Sequence, residues 1–183
     1  SCERTALNLL SRMSGIATQT NELVKKIPKK AKVYATRKTA PGLRLFDKEA
    51  VEIGGGKKHR MSLNEMVMFK DNHIAVGKSI EKLLKDAKKK HRKVEIEVES
   101  QKDAILAAKK GANIIMLDNF SPKKISQTIN ALKKLGLRKK VKLEASGGIT
   151  SKNIEKFAKT DVDMISIGAI TNSVKGIDFS LEI

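Results

Sequence analysis

Short apolar runs rich in branched residues alternate with helix-like segments along this chain, and this alternation constrains the fold most strongly. The runs lie at residues 33–35, 66–69, 94–98, 114–117, 141–145 and 164–167. Between the later runs, apolar residues recur at helical spacing. Strands and helices that alternate with short connections predict a parallel sheet covered by helices. We predict an α/β fold with one domain over residues 1–183. An incomplete (open) α/β barrel of about six parallel strands fits better than an open doubly wound sheet.

Polar residues and glycines mark the predicted helix ends. Ser-x-x-Asp at residues 100–103 is a capping box, and Ser-Pro at 121–122 combines an N-cap with a first-turn proline. Glycine after an apolar helical pattern is a common helix end. The boundaries predicted from these signals are N-caps at Ser79, Ser100, Ser121 and Ser151, and C-terminal ends at Gly111 and Gly136.

The first segment, residues 1–18, predicts an amphipathic helix that is ended by Pro28. Its apolar residues at helical spacing are Leu7, Leu10, Met13 and Ala17. Charged residues among them are not typical of a signal peptide, and no apolar run approaches the roughly 20 residues that cross a bilayer. Cys2 is the single cysteine, so we expect a cytoplasmic protein.

The chain has a net charge of +18, from 38 Lys and Arg against 20 Asp and Glu. Such a charge attracts polyanions, either nucleic acid or a phosphorylated metabolite. Aromatic residues make up only 3% of the chain, so a stacking surface for single strands is poorly supplied. The lysine clusters are more typical of a solvated surface than of a nucleic-acid site.

Charged and glycine residues follow each predicted strand, where the ligand of a parallel α/β fold binds. Cations follow the first two strands, at residues 36–39, 57–60 and 70–73, and carboxylates end the third and fourth, at Glu97, Glu99 and Asp118. Carboxylates among bound phosphates are typical Mg²⁺ ligands. Ser146-Gly147-Gly148 follows the fifth strand and Gly168 the sixth, and glycine turns beside a helix start suit a phosphate group.

Eight motifs in series resemble the quinolinate phosphoribosyltransferase family, also called carboxylating nicotinate-nucleotide pyrophosphorylase. They cover nearly the whole chain, in order. The motifs are ERTALNLLSRMSGIAT from residue 3, TRKTAPGLR from 36, GGGKKHR from 54, KDNHI from 70, EVE from 97, LDNF from 117, EASGGI from 144 and ISIGAIT from 165.

The resemblance implies transfer of phosphoribosyl from phosphoribosyl pyrophosphate (PRPP) to quinolinate, with loss of CO₂ and with Mg²⁺ on the pyrophosphate, as a step of NAD biosynthesis. It implies quinolinate binding by Arg37, His59 and Arg60, with Arg4 reaching across a homodimer. It implies catalytic roles for Lys38, Lys70, Glu97 and Asp118, of which Glu97 and Asp118 also hold Mg²⁺. It implies a 5'-phosphate site of Ser146, Gly147, Gly148, Gly168 and Asn172.

Two departures from the family pattern bear on these expectations. Asn172 stands where many members have a histidine, so it offers a hydrogen bond but no charge. Family members also carry a further N-terminal domain, an α/β sandwich, which we expect to be missing from this chain. Two alternative functions remain at this point. One is a pyrophosphorylase-like paralogue with another acceptor, which Arg37, His59 and Arg60 disfavour because these residues suit a diacid. The other is a basic nucleic-acid-binding protein.

Overall fold

Six parallel strands form one sheet, in the order β1-β6-β5-β4-β3-β2. The computed structural model describes residues 2–62, 65–70, 79–90 and 93–182. The strands are β1 (Lys32–Tyr34), β2 (Val67–Phe69), β3 (Val94–Val98), β4 (Ile114–Asp118), β5 (Lys142–Ser146) and β6 (Met164–Ser166). All six predicted strands are therefore confirmed, with ends that differ by one residue or less.

The sheet curls until its two edge strands face each other. Tyr34 of β1 packs against a small apolar cluster that contains Met66 beside β2, together with Ile114 and Met164. In the segment that follows β1 and its helix, Arg60 donates from Nη1 to the Met66 carbonyl at 3.4 Å. Residues of β1, β4 and β6 thus meet Met66, which directly precedes β2, inside the curled sheet, and this confirms the incomplete barrel.

Helices cover the outside of this barrel. They are α1 (Cys2–Lys25), α2 (Arg44–Ile53), α3 (Ile80–Lys90), α4 (Gln101–Lys109), α5 (Pro122–Lys134), α6 (Ile154–Ala158) and α7 (Ala169–Asn172), with a 3₁₀ turn at Arg138–Lys140. Their apolar faces and the outer face of the sheet form the main core. No described helix has the length and apolar character required to cross a membrane.

The predicted helix ends are confirmed at all but one position. The side chains of Ser79, Ser100 and Ser121 accept hydrogen bonds from the amides three residues later, at 3.1–3.3 Å. Gly111 and Gly136 follow α4 and α5 with φ of 79° and 66°, in the left-handed region that favours glycine.

The N-cap predicted at Ser151 is wrong, because α6 begins only at Ile154 with Asn153 as its N-cap. The Asn153 side chain accepts from the Thr150 amide at 2.8 Å and donates to the Gly148 carbonyl at 3.0 Å. These bonds hold residues 148–153 in a turn, so the chain enters the helix later than its serine indicates.

The buried face of α1 also differs from the prediction. Its buried residues are Gly15, Ile16, Thr20 and Leu23, whereas Leu10 of the predicted apolar stripe is 52% exposed. The C-terminal segment passes close to α1 at Gly15, where an added Cβ would lie 2.1 Å from the Lys175 carbonyl oxygen. The C-terminal segment therefore covers α1 at Gly15.

Candidate active site

A cavity of about 750 Å³ opens at the carboxyl ends of the strands. Because all six strands are parallel, the residues that follow them share this end of the barrel. The cavity brings together twelve of the predicted site residues, which are Arg37, Lys38, His59, Arg60, Lys70, Glu97, Asp118, Ser146, Gly147, Gly148, Gly168 and Asn172. Arg4 does not line it and is exposed on α1. Asp71, Asn72 and His73 of the KDNHI motif lie outside the described residues.

The glycine turn after β5 has the backbone that its sequence predicts. Gly147 and Gly148 have φ of 95° and 61°, a region that other residues adopt at a cost. An added Cβ on Gly147 would lie 2.2 Å from Asn119 Oδ1 and 2.9 Å from the Asn119 amide nitrogen. At Gly148 no heavy atom lies within 4 Å of such a Cβ. The turn is thus packed against β4 on one side and open on the other.

Gly168 faces this turn from the end of β6. An added Cβ there would lie 3.1 Å from Lys38 Cδ and 3.7 Å from Asn172 Nδ2. The Thr171 hydroxyl donates to the Lys38 carbonyl at 2.7 Å, which ties the β1 loop to α7. Lys38 and Asn172 therefore lie beside Gly168 and line the same cavity as the glycine turn.

The segment with His59 and Arg60 fills the opening between the two edge strands. Lys57 pairs with β1, where its amide donates to the Val33 carbonyl at 2.8 Å. His59 follows with φ of 52°, an uncommon value for a residue other than glycine. Arg60 is only 9% exposed, and its Nη2 contacts Met68 Sδ at 3.1 Å. Both side chains are thus directed into the barrel, while Arg37 at the end of β1 remains exposed.

Two buried carboxyl groups lie next to His59. His59 Nε2 lies 3.2 Å from Glu144 Oε2 and 3.5 Å from Glu95 Oε2. Burial, with the neighbouring charge of Glu144, raises the pKa of Glu95 to about 9. The Glu95 carboxyl is consequently protonated at neutral pH, when it can donate a hydrogen bond. Because this proton neutralises Glu95, the two buried carboxyl groups need less countercharge than two carboxylates would.

Among the described residues, these three side chains could also hold a metal ion, because their donor atoms lie within 4.8 Å of one another. A cation bound there or a proton on Glu95 would each offset the negative charge of these oxygens.

Glu97 and Asp118 form the acidic pair of the rim. They extend from the neighbouring strands β3 and β4, where Glu97 pairs in register with Met116, two residues before Asp118. Lys70 Nζ lies 2.9 Å from Glu97 Oε2, and Asp118 Oδ2 accepts from the Asn119 side chain at 2.7 Å. Both carboxylates border the cavity, and carboxylates beside bound phosphates are typical Mg²⁺ ligands.

Sequence reasoning missed four residues in or beneath this cavity. Glu95 lies in β3, where all five residues are buried. The available sequence signal was its position two residues before Glu97, which places both on the same face of the strand. Ser166 is buried on the cavity wall, and its hydroxyl has no hydrogen-bond partner among the described residues. Asp47 and Lys48 of α2 are both 0% exposed beneath the loops that follow β1 and α2. In a chain this rich in lysine, a buried Lys48 has no sequence signal.

The fold and rim define the class of protein. It is an α/β barrel whose strand ends gather cations, an acidic pair and a glycine turn around one cavity, an arrangement suited to anionic and phosphorylated ligands.

The family model described as quinolinate phosphoribosyl transferase, C-terminal domain, matches residues 16–182. The chain is 51% identical to a protein of Archaeoglobus fulgidus named probable nicotinate-nucleotide pyrophosphorylase (carboxylating), over 99% of this chain and 71% of that protein. It is 41% identical to the nicotinate-nucleotide pyrophosphorylase (carboxylating) of Rattus norvegicus, over 99% of this chain and 62% of that protein. The chain belongs to the quinolinate phosphoribosyltransferase family.

A solved structure has the same fold. NadC from Streptococcus pyogenes superposes with a TM-score of 0.89 at 42% identity, covering 99% of this chain and 63% of that one. The chain therefore spans roughly two thirds of the length of the relatives it matches.

Proposed function

We propose that this chain carries the catalytic barrel of a carboxylating nicotinate-nucleotide pyrophosphorylase. The reaction transfers phosphoribosyl from PRPP to quinolinate and yields nicotinate mononucleotide, pyrophosphate and CO₂, a step of NAD biosynthesis. One observation carries this proposal above all. Arg37, His59 and Arg60 line the same cavity as the glycine turn and the acidic pair, so a diacid and a phosphorylated sugar have adjoining sites.

The two arginines suit the carboxylates of quinolinate. A guanidinium makes two parallel hydrogen bonds to a planar carboxylate, whereas an ammonium acts as a point charge. Arg60 approaches from the buried side of the cavity and Arg37 from the exposed rim. His59 lies next to Glu144, with 3.2 Å between its Nε2 and Glu144 Oε2. Quinolinate is thus held by Arg60 from the buried side of the cavity and by Arg37 from the rim.

The glycine turns and lysines suit PRPP. Gly147, Gly148 and Gly168 let backbone amides approach the 5'-phosphate, and Asn172 adds a neutral donor. Lys38 and Lys70 supply positive charge for the pyrophosphate. Glu97 and Asp118 would hold Mg²⁺, which neutralises part of the pyrophosphate charge as that group leaves.

Positive charge develops on the ribose as pyrophosphate departs and the pyridine nitrogen attacks. A carboxylate placed before the reaction stabilises such charge without reorganising. Glu97 is suited to this role because its side chain is 10% exposed and fixed by Lys70 at 2.9 Å. Lys70, which lines the same cavity, would attract the departing pyrophosphate while Glu97 stabilises the ribose.

We also propose a homo-oligomer located in the cytoplasm. Arg4 is exposed and does not line its own chain's cavity, which agrees with a contact to the site of a partner subunit.

Calorimetric titration with quinolinate tests the acid site. We expect saturable binding that Arg37→Ala weakens roughly 10- to 150-fold, since a hydrogen bond to a charged group contributes about 1.5–3 kcal/mol. Nicotinate, which lacks one carboxylate, should bind more weakly to the unaltered chain. Lys140→Ala is the matched control, because it removes an exposed cation at the other end of the barrel.

A second titration with PRPP and Mg²⁺ separates the alternatives. Binding of PRPP without quinolinate would favour a paralogue with another acceptor. An equal loss of quinolinate binding in Arg37→Ala and Lys140→Ala would contradict the assigned acid site, because only the overall charge would then matter.

A further inference from the structure

The two loops with the acid-binding cations both attach to adjacent buried residues of α2. The first loop, residues 36–44, contains Arg37, and the second, residues 54–60, contains His59 and Arg60. Asp47 and Lys48 lie between these loops in sequence, and both are 0% exposed. The role of the loops in acid binding rests on the proposed function, whereas the contacts described next do not.

Asp47 anchors the first loop. Its Oδ2 accepts from the Ala40 amide at 3.1 Å, three residues after Arg37. The same carboxylate accepts two hydrogen bonds from Arg12 of α1, at 2.7 and 2.9 Å. Arg12 also donates to the Thr171 carbonyl at 2.8 Å. The first loop is therefore fixed to α1 and to α7 through one buried carboxylate.

Lys48 anchors the second loop. Its Nζ donates to the Lys58 carbonyl at 2.5 Å and to the Arg60 carbonyl. These carbonyls flank His59, the residue with φ of 52°. An uncommon backbone conformation persists where its surroundings impose it. Two hydrogen bonds from one ammonium, one on each side of His59, are such a constraint.

The burial of Lys48 is unfavourable for folding. Desolvation, with the positive charges of Arg44, Arg37 and Arg60 nearby, lowers the pKa of Lys48 to about 8. An apolar side chain of similar length would fill the same space without this penalty. The ammonium therefore points to a role that its packing does not explain, namely donation to the loop.

We propose that Asp47 and Lys48 are a positioning pair, in which Asp47 sets the loop of Arg37 and Lys48 sets the backbone on both sides of His59. Neither residue lines the cavity itself. Each acts through one loop, so the two residues have separable effects on the same site.

Hydrogen–deuterium exchange of the two loops tests this proposal in Lys48→Met and Asp47→Asn. Lys48→Met should raise exchange at residues 54–60 at least tenfold and leave residues 36–44 unchanged. Asp47→Asn should raise exchange at the Ala40 amide and leave residues 54–60 unchanged. Lys48→Gln should recover part of the protection, because its amide can still donate to one carbonyl.

Leu132→Ala on α5 is the control for general loss of stability, because Leu132 is buried far from both loops in the main core. Quinolinate affinity should fall at least tenfold in Lys48→Met, with unchanged affinity for inorganic phosphate. Loop exchange in Lys48→Met that matches Leu132→Ala at equal Tm would overturn the proposal. If Lys48→Met does not fold, Lys48→Gln and Asp47→Asn decide, and identical exchange patterns in these two variants would overturn it.

Failure of the proposed function would look different. In that case the unaltered chain would not bind quinolinate, while the loop-specific exchange pattern would still support or refute the positioning pair.

Discussion

Gly147→Ala is the sharpest test of the glycine turn, because the structure gives both parts of its cost. Alanine at φ of 95° is strained by about 1–2 kcal/mol. Its Cβ would also lie 2.2 Å from Asn119 Oδ1 and 2.9 Å from the Asn119 amide nitrogen, so Asn119 must move. That amide donates to the Ser146 carbonyl at 2.9 Å, and losing this hydrogen bond costs about 1 kcal/mol more. We expect the free energy of unfolding to fall by about 2–3 kcal/mol in urea titrations.

Two other glycines separate strain from crowding in this experiment. Gly136 and Gly148 have φ of 66° and 61°, with no heavy atom within 4 Å of an added Cβ. Alanine at either should therefore cost only the strain of about 1–2 kcal/mol, without the lost hydrogen bond. Gly136 is remote from the cavity, so Gly136→Ala should leave binding of ribose 5-phosphate unchanged, whereas Gly147→Ala should weaken it at least tenfold. Equal losses of stability in Gly147→Ala and Gly136→Ala would refute the packing of the turn against Asn119.

Two further predictions concern charge. The pKa of Lys48 is lowered from 10.5 to about 8, so the folded state binds fewer protons than the unfolded state between these pH values. The cost of burying the charged ammonium is therefore full below pH 8 and is relieved as the pH rises to 10.5. The stability of the unaltered chain relative to Lys48→Met should accordingly increase by about 3 kcal/mol across this window in urea titrations, and a parallel pH dependence of the two chains would contradict the buried ammonium. Asn172→His should strengthen binding of ribose 5-phosphate below about pH 6.5, where histidine is charged, and calorimetry that finds no pH-dependent gain would place residue 172 away from the phosphate.

The strand ends were predictable because two independent signals agree on them. Branched apolar runs such as residues 94–98 mark a buried strand, and the polar residues that follow must lie at the carboxyl end. Parallel topology then brings Glu97, Asp118 and Gly147 to one rim without any knowledge of side-chain contacts. The arrangement of the rim therefore follows from order along the chain.

The residues beneath the rim were not predictable for a physical reason. Burial on both faces of a barrel strand removes the alternation that distinguishes inside from outside, so the spacing of Glu95 from Glu97 does not reveal that Glu95 is buried. Lys48 is buried by the packing of α2 against two loops, which is a tertiary effect. At Ser151 a local signal was present, but the Asn153 side chain formed a competing turn.

Two cations of the site, Lys70 and Arg60, are held in place by contacts within the barrel, whereas Arg37 and Lys38 are exposed. Lys70 is paired with Glu97 at 2.9 Å, and Arg60 contacts Met66 and Met68. An exposed lysine with a mobile side chain contributes to solubility, but its side chain loses entropy when the ammonium binds an anion. A cation fixed in advance has already lost that entropy during folding, so more of its attraction contributes to binding. The net charge of +18 is therefore a poor guide to the site, whereas the fixed positions of Lys70 and Arg60 favour anion binding there.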